Sequence, residues 1–289
     1  MTFTITTPKG LRTIGPGHPC FIVAEMSANH DQNFEKAVSI IKAAAKAGAD
    51  AIKLQTYTPD TLTIDSSKQW FRVDGKQNPK SWTSKTFYQL YQEAYTPWEW
   101  HAELKRVAEK NGLVFFSTPF DESAVDFLET LDVPFYKIAS YEMTHVPLLR
   151  KVAQTGKPII ISAGFASQEE IELAVRTLRE NGAKNIAFLH CVTQYSDNPD
   201  LSSINLATML DLEKKYDIVK GFSDNNAGLT VPLQAAIMGA CIIEKHFVIN
   251  DNNKTFDSHF SADESEFAEM VQKIRESESI RGIVHYGPQ

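Results

Sequence analysis

Two hydrophobic periods take turns along this chain. Short apolar runs with period-2 spacing alternate with longer stretches whose apolar residues recur every three or four positions. Phe21-Ile22-Val23-Ala24-Glu25 is the first such run, apolar until it ends on an acid. Residues 33–47 follow with helical spacing at Phe34, Val38, Ile41 and Ala45, and the pattern stops at Gly48. The same pair of patterns predicts strands over 51–55, 113–118, 134–138, 158–162, 185–190, 218–223 and 241–246. Between and after them it predicts helices over 98–111, 122–131, 146–155, 168–181, 205–215, 230–238 and 262–279. Eight strand–helix units make this an α/β chain and predict a parallel sheet closed into a (β/α)8 TIM barrel. An open doubly wound sheet is the alternative. It lacks a glycine-rich turn after the first strand, where Glu25-Met26-Ser27-Ala28-Asn29-His30 stands.

Two segments depart from the rhythm. Residues 1–19 are polar and turn-rich, with Pro8-Lys9-Gly10 and Gly15-Pro16-Gly17, and predict a short hairpin covering one end of the fold. Residues 56–97 interrupt the alternation with Tyr57, Trp70, Phe71, Trp82, Phe87, Tyr88, Tyr91 and Tyr95, and a short helix is predicted near 86–93. Such a long aromatic insertion reads as a lid or substrate wall, with an interface patch as the blander alternative. The domain organisation expected is a lead-in over 1–19, one catalytic barrel over 20–280 and a tail over 281–289.

The strand ends carry the chemistry. In a TIM barrel the site lies at the C-terminal ends of the strands. Here those ends hold Glu25, Lys53, Gln55, Thr118, Lys137, Ser140, Ser162, His190, Ser223, Glu244 and His246. A purely structural barrel has no reason to gather so many polar groups at one end, since each costs free energy unless paired. In Cys241-Ile242-Ile243-Glu244-Lys245-His246-Phe247, alternation puts Glu244 and His246 on one face. Alone, that strand reads equally as a salt-bridged histidine or as a site for a metal, acid or base. Lys53 and Lys137, with Lys245 as a further cation and the hydroxyls of Thr118, Ser140, Ser162 and Ser223, suit a phosphate and a carboxylate. A Schiff-base role for Lys137, as in an aldolase, competes with that reading.

Composition narrows the function classes. The chain has 289 residues, 43% hydrophobic and 22% charged, as an ordinary globular protein has. A formal net charge of −7 argues against a general nucleic-acid binder, though not against a local cationic pocket. No run approaches the ~20 apolar residues of a membrane span, and Met1-Thr2-Phe3-Thr4-Ile5 does not open a secretion signal. Cys20, Cys191 and Cys241 are far apart and odd in number, which predicts buried free thiols in a reducing, cytoplasmic setting.

Six motifs carry a resemblance: Ala24-Glu25-Met26-Ser27-Ala28-Asn29-His30, Lys53-Leu54-Gln55-Thr56-Tyr57, Ser117-Thr118-Pro119-Phe120-Asp121, Tyr136-Lys137-Ile138-Ala139-Ser140, Gly221-Phe222-Ser223-Asp224 and Glu244-Lys245-His246-Phe247. In this order, over nearly the whole chain, they resemble the catalytic barrel of the sialic acid synthase family. The first motif, the run from Gln55 to Thr63 and the run from Tyr91 to Trp100 look most like its pseudaminic acid synthase branch. The resemblance implies condensation of phosphoenolpyruvate with an N-acetylated amino hexose, a 2,4-diacetamido-2,4,6-trideoxyhexose, to a nonulosonic acid with release of phosphate. It implies that Lys53, Thr118, Lys137, Ser140, Ser162 and Ser223 bind phosphoenolpyruvate. Gln55, Tyr195, Glu142 and Asp257 would face the sugar or the reacting carbons, with Glu244 beside them and Glu25 near C2 of phosphoenolpyruvate. It further implies a homodimer and a divalent ion, manganese or magnesium, held by His246 and a second histidine. That second position is Asn225, a weak neutral ligand, which predicts a weakened or dispensable metal. Ser162-Ala163-Gly164-Phe165 departs from the family's Ser-Thr-Gly-Met, altering one hydroxyl contact. The family's antifreeze-like domain has no counterpart in this sequence, and the alternatives are that it was removed, that a separate chain supplies it or that it was never present. A degenerate barrel acting as a sugar-binding or scaffold partner, and a pyruvate-dependent aldolase, are the alternatives.

Overall fold

The structure, a computed structural model, describes residues 1–73, 82–83, 85–251 and 253–287. Parts of two segments singled out above, 74–81 and 84 in the aromatic insertion and 288–289 in the tail, lie outside the described residues. A hairpin comes first. Strands β1 (Phe3–Thr7) and β2 (Gly10–Ile14) pair antiparallel, with Phe3 opposite Ile14. Gly10 closes the turn at φ +105°, a conformation open to glycine and little else. Phe3, Ile5 and Ile14 point into the barrel's lower end and pack with Phe21 and Phe135.

Eight parallel strands follow: β3 (Phe21–Glu25), β4 (Ala51–Thr56), β5 (Val114–Pro119), β6 (Tyr136–Ile138), β7 (Ile159–Ala163), β8 (Ile186–Val192), β9 (Val219–Asp224) and β10 (Ile242–His246). They hydrogen-bond in the order β5-β4-β3-β10-β9-β8-β7-β6, so the first barrel strand pairs with the last. β5 and β6 lie side by side and close the ring, with Phe116 and Phe135 ring centroids 4.3 Å apart across that seam. Among the described residues the eight predicted helices flank these strands, and short extra helices at Pro59–Leu62 and Phe87–Ala94 belong to the insertion. The first flanking helix (Phe34–Lys46) begins where Asn33 accepts the Lys36 N–H (3.0 Å) and ends before Gly48 at φ +90°.

Period-2 alternation divides the strands between two cores. Residues such as Phe21, Val23, Ala51, Phe116, Ile160, Leu189 and Ile242 fill the barrel interior. Their neighbours Ile22, Ile52, Phe115, Ile161, Phe188 and Ile243 pack outward beneath the helices. Gly221 faces inward, where a Cβ would stand 2.5 Å from the Ile242 carbonyl oxygen, so the interior layer is closed tightly there. Above that layer the inward positions turn polar.

The aromatic insertion is pinned at both feet. His101 Nδ1–H donates to Pro97 O (3.2 Å), leaving Nε2 to accept from the Thr56 hydroxyl (2.9 Å). His30 Nδ1 accepts the Gln32 N–H (3.0 Å), so Nε2–H donates to Thr96 Oγ1 (2.9 Å). Burial lowers both imidazoles to about 4, which keeps these tautomers neutral. Between the feet, Tyr57 is buried edge-on against Tyr91 and Phe120. This half of the insertion walls the barrel mouth. Trp70 and Ile64, 75% and 63% exposed, do not join it.

Candidate active site

The inward polar positions meet at the C-terminal mouth. Strand register sets the neighbours: Glu25 opposite Lys53, Gln55 opposite Thr118, Glu244 opposite Ser223, and His246 opposite Glu25. Lys53 Nζ lies 2.7 Å from Glu25 Oε2, 3.5 Å from Glu244 Oε1 and 3.2 Å from Thr118 Oγ1. Lys137 Nζ reaches the same Glu244 oxygen at 3.2 Å, and the Ser223 hydroxyl donates to it at 2.9 Å. Glu25, Lys53, Lys137 and Glu244 are each at least 95% buried.

Electrostatics separates the two carboxylates. Burial pushes both up, but for Glu244 the two lysines outweigh burial and hold it at about 2. Glu25 has one lysine beside it and Glu244 repelling it, so burial wins and its carboxyl rises above the ordinary range. Burial drives Lys137 below its usual value despite Glu244, whereas Lys53, between two acids, is raised.

Two hydroxyls point into this cluster without partners. Ser162 Oγ and Ser140 Oγ are buried, and neither has a hydrogen-bond partner among the described residues. Gly164 makes room for the Ser140 hydroxyl, since a Cβ there would stand 2.8 Å from Ser140 Oγ and 3.1 Å from Cys191 O. Unpaired buried donors beside two buried ammonium groups form a seat for an anion's oxygens.

A second group borders the first. Gln55 Nε2 donates to Glu25 Oε1 and Ser27 Oγ, both at 3.0 Å, and Ser27 Oγ donates to Asp257. His246 Nδ1 stands 3.8 Å from Asp257 Oδ2, and its ring meets Phe260 and Tyr195 edge-on. Burial lowers His246 to about 3, so it is neutral. Glu142, in the turn after β6, has Oε2 buried without a partner, and burial lifts its carboxyl to about 7 against the pull of Lys137.

Sequence reasoning therefore placed Glu25, Lys53, Gln55, Thr118, Lys137, Ser140, Ser162, Ser223, Glu244 and His246 on one inward rim, and the fold brings them together there. Asp257, Tyr195 and Glu142 approach from the loops. Two expectations are corrected. Lys245 is not a cation of the mouth. It lies on the outer face of β10, fully buried, with Nζ bonded to Asp224 Oδ2 (2.7 Å) and Asn226 O (2.6 Å). His190 also faces outward, where Nε2–H donates to Ile204 O (2.7 Å), and Cys191 takes the inward position instead. Ser27 was missed. Its φ of +47° turns the hydroxyl between Gln55 and Asp257, a geometry no spacing announces.

The donors for a divalent ion fall short. Among the described residues no three His, Cys, Asp or Glu side chains stand close enough to hold a metal. At the position expected to hold a second histidine, Asn225 has its amide nitrogen donating to Cys191 Sγ (3.3 Å) and offers at most a neutral oxygen, which leaves one imidazole, His246, with the Asp257 carboxylate beside it (3.8 Å). Such a set does not fit a resident divalent ion.

Comparison with known proteins agrees with this architecture. Residues 40–286 match the model of the NeuB family. The chain is 40% identical over 262 residues to a pseudaminic acid synthase of Campylobacter jejuni, covering 91% of this chain and 75% of the relative. It is 41% identical over 259 residues to the pseudaminic acid synthase of Helicobacter pylori, covering 90% and 74%. The solved N-acetylneuraminic acid synthetase of Leptospira borgpetersenii, in complex with citrate, superposes with a TM-score of 0.85 at 30% identity, over all of this chain and 93% of that one. The barrel, its polar rim and these likenesses together make this chain a member of the NeuB family.

Proposed function

We propose that this chain condenses phosphoenolpyruvate with an N-acetylated amino hexose, a 2,4-diacetamido-2,4,6-trideoxyhexose, to a nonulosonic acid, releasing phosphate. One observation carries the reading: two buried lysines converge on a single carboxylate oxygen beside two buried, unpartnered hydroxyls. That seat suits the phosphate and carboxylate of phosphoenolpyruvate. Thr118 and Ser223 complete it. The sugar lies above, against Gln55, Tyr195 and Asp257.

The chemistry follows from charge and proton placement. C3 of phosphoenolpyruvate attacks the sugar's aldehyde carbon, and the new C–C bond leaves positive charge at C2. Glu142, protonated up to about pH 7, gives its proton to the aldehyde oxygen. Water adds at C2 and gives a proton to Glu25, whose raised affinity for protons suits a base. The C2–O bond to phosphate then breaks as the C2 hydroxyl passes its proton to the departing phosphate and becomes the C2 ketone. Lys53 and Lys137 stabilise the departing dianion. No step here runs through a metal, and a divalent ion is expected to be dispensable.

The test is phosphate release with both substrates, coupled to the mass of the product, before and after dialysis against EDTA. Sugar-dependent turnover that survives EDTA is expected. No turnover with any N-acetylated amino hexose would favour a sugar-binding or scaffold role. The lowered Lys137 also suits a Schiff base, so borohydride trapping with pyruvate is the second arm. A trapped adduct on Lys137 would move the assignment to an aldolase.

A further inference from the structure

Lys245 lies behind the pocket wall, with its charge spent on backbone and loop. Its ammonium is fully buried on the helix side of β10, the face it shares with Ile243 and Phe247. It holds the loop after β9 at two points, Asp224 Oδ2 (2.7 Å) and Asn226 O (2.6 Å). Asp224 Oδ1 in turn accepts the Asn226 N–H at 3.2 Å, closing the loop on itself. That loop grips the loop after β8: Ser196 N–H donates to Asn226 Oδ1 (3.3 Å), and Ala227 N–H donates to Ser196 O (2.9 Å). Ser196 follows Tyr195, whose backbone sits at φ +50° and whose ring lies against His246 and Phe260. A tyrosine in the left-handed region costs backbone free energy and persists only where neighbours fix it.

We infer that Lys245 is a positioning residue for sugar binding, holding Tyr195 over the pocket through Asp224, Asn226 and Ser196. The inference rests on the synthase reading for its kinetic arm and on the hydrogen-bond relay alone for its structural arm. The relay reaches Tyr195 and the sugar side. In the phosphoenolpyruvate seat, Lys53, Thr118, Lys137 and Ser162 stand on other strands, and Ser223, which shares β9 with Asp224, faces the opposite side and bonds Glu244 rather than the relay.

The experiment uses the full chain carrying Lys245→Met, with Tyr195→Ala and the double variant completing a cycle. Lys245→Met should raise the sugar KM at least fivefold while the phosphoenolpyruvate KM stays within twofold. In the Tyr195→Ala background the same substitution should change the sugar KM by less than twofold. Hydrogen exchange should show the Ser196 and Ala227 amides losing protection while the barrel strands keep theirs. Should Lys245→Met fail to fold, Lys245→Met/Asp224→Asn removes both buried charges together and is read the same way. Equal losses in both KM values, multiplicative effects with Tyr195→Ala, or exchange loss spread through the barrel would each overturn the inference. A wild-type chain without turnover would sink the synthase reading, and the exchange arm would still decide the relay.

Discussion

Glu244→Gln probes the charge cluster directly. The glutamine keeps an oxygen for the Ser223 hydroxyl but removes the charge shared by Lys53 and Lys137. Lys53 retains Glu25 at 2.7 Å, whereas Glu244 is the only carboxylate ion-paired with Lys137 among the described residues. Removing one partner of a buried pair costs about 3–5 kcal/mol, because the remaining charge is left desolvated. An independent route gives a similar size. Moving Glu244 from 4.5 to about 2 on folding is worth about 3 kcal/mol at neutral pH. With about 2.1 cal/mol/K of unfolding entropy per residue, a chain of 289 residues would lose about 5–8 °C in Tm. Lys137 has an escape, since it can shed its proton. A lysine held below its unfolded value makes the unfolded chain the better proton binder, so stability rises with pH. The deficit of Glu244→Gln should therefore shrink between pH 6 and pH 9. Phosphoenolpyruvate should also raise the Tm of the variant more than that of the wild type, since its oxygens no longer compete with Glu244. Calorimetry with and without phosphoenolpyruvate reads all three. An unchanged Tm, or a smaller ligand-induced rise than in the wild type, would refute the reasoning.

Three further outcomes are expected. Ser162→Ala removes a donor that has no partner in the free protein, so Tm should hold within about 1 °C while the phosphoenolpyruvate KM rises about tenfold, as loss of one charge-assisted hydrogen bond predicts; a clear drop in Tm with unchanged KM would contradict the anion seat. Glu142→Gln should lower kcat by about 10²–10⁴ and abolish the loss of rate that sets in as wild-type pH rises through about 7, and persistence of that limb in steady-state pH profiles would remove Glu142 as the acid. Burial depresses His30 and His101 to about 4 and His246 to about 3, from 6.5, so the unfolded chain takes up protons first as pH falls. The stability they contribute is present above pH 6.5 and lost on the way down to about 4, and a Tm that stays flat from pH 7 to 5 would contradict it.

How much of this was legible beforehand depends on the kind of signal. Period-2 runs and their polar last residues gave the barrel and most of the rim, because alternation in a closed parallel sheet assigns inward and outward without further information. The same alternation puts Lys245 on the face opposite Glu244 and His246, and a cation near a strand end belongs to the mouth only when its parity points inward. His190 failed for a related reason, since its parity with Phe188 and Phe222 places it under the helices. Ser27 and the loop residues Asp257 and Glu142 depend on backbone conformations that spacing does not encode. Asp257 and Glu142 were reached only through family likeness. The two insertion clamps at His30 and His101 were equally silent, because each joins residues tens of positions apart through one hydrogen bond.

The pairing of β3 with β10 has a consequence for how the protein comes into being. The barrel's first strand waits for its last, and bonds such as Cys20 N–H to Glu278 join groups 258 positions apart. Closure of so long a loop makes the ring slow to complete, and until then β3 presents an unpaired apolar edge. A nascent chain passes through an open curl that invites association with its own kind. Glu25 and His246 face each other across this last-formed junction, so the pocket comes into existence only when the ring shuts. A preparation's specific activity is thus a measure of how many molecules have closed, and a fragment ending before β10 would lack Glu244 and His246, the side of the pocket that joins last strand to first.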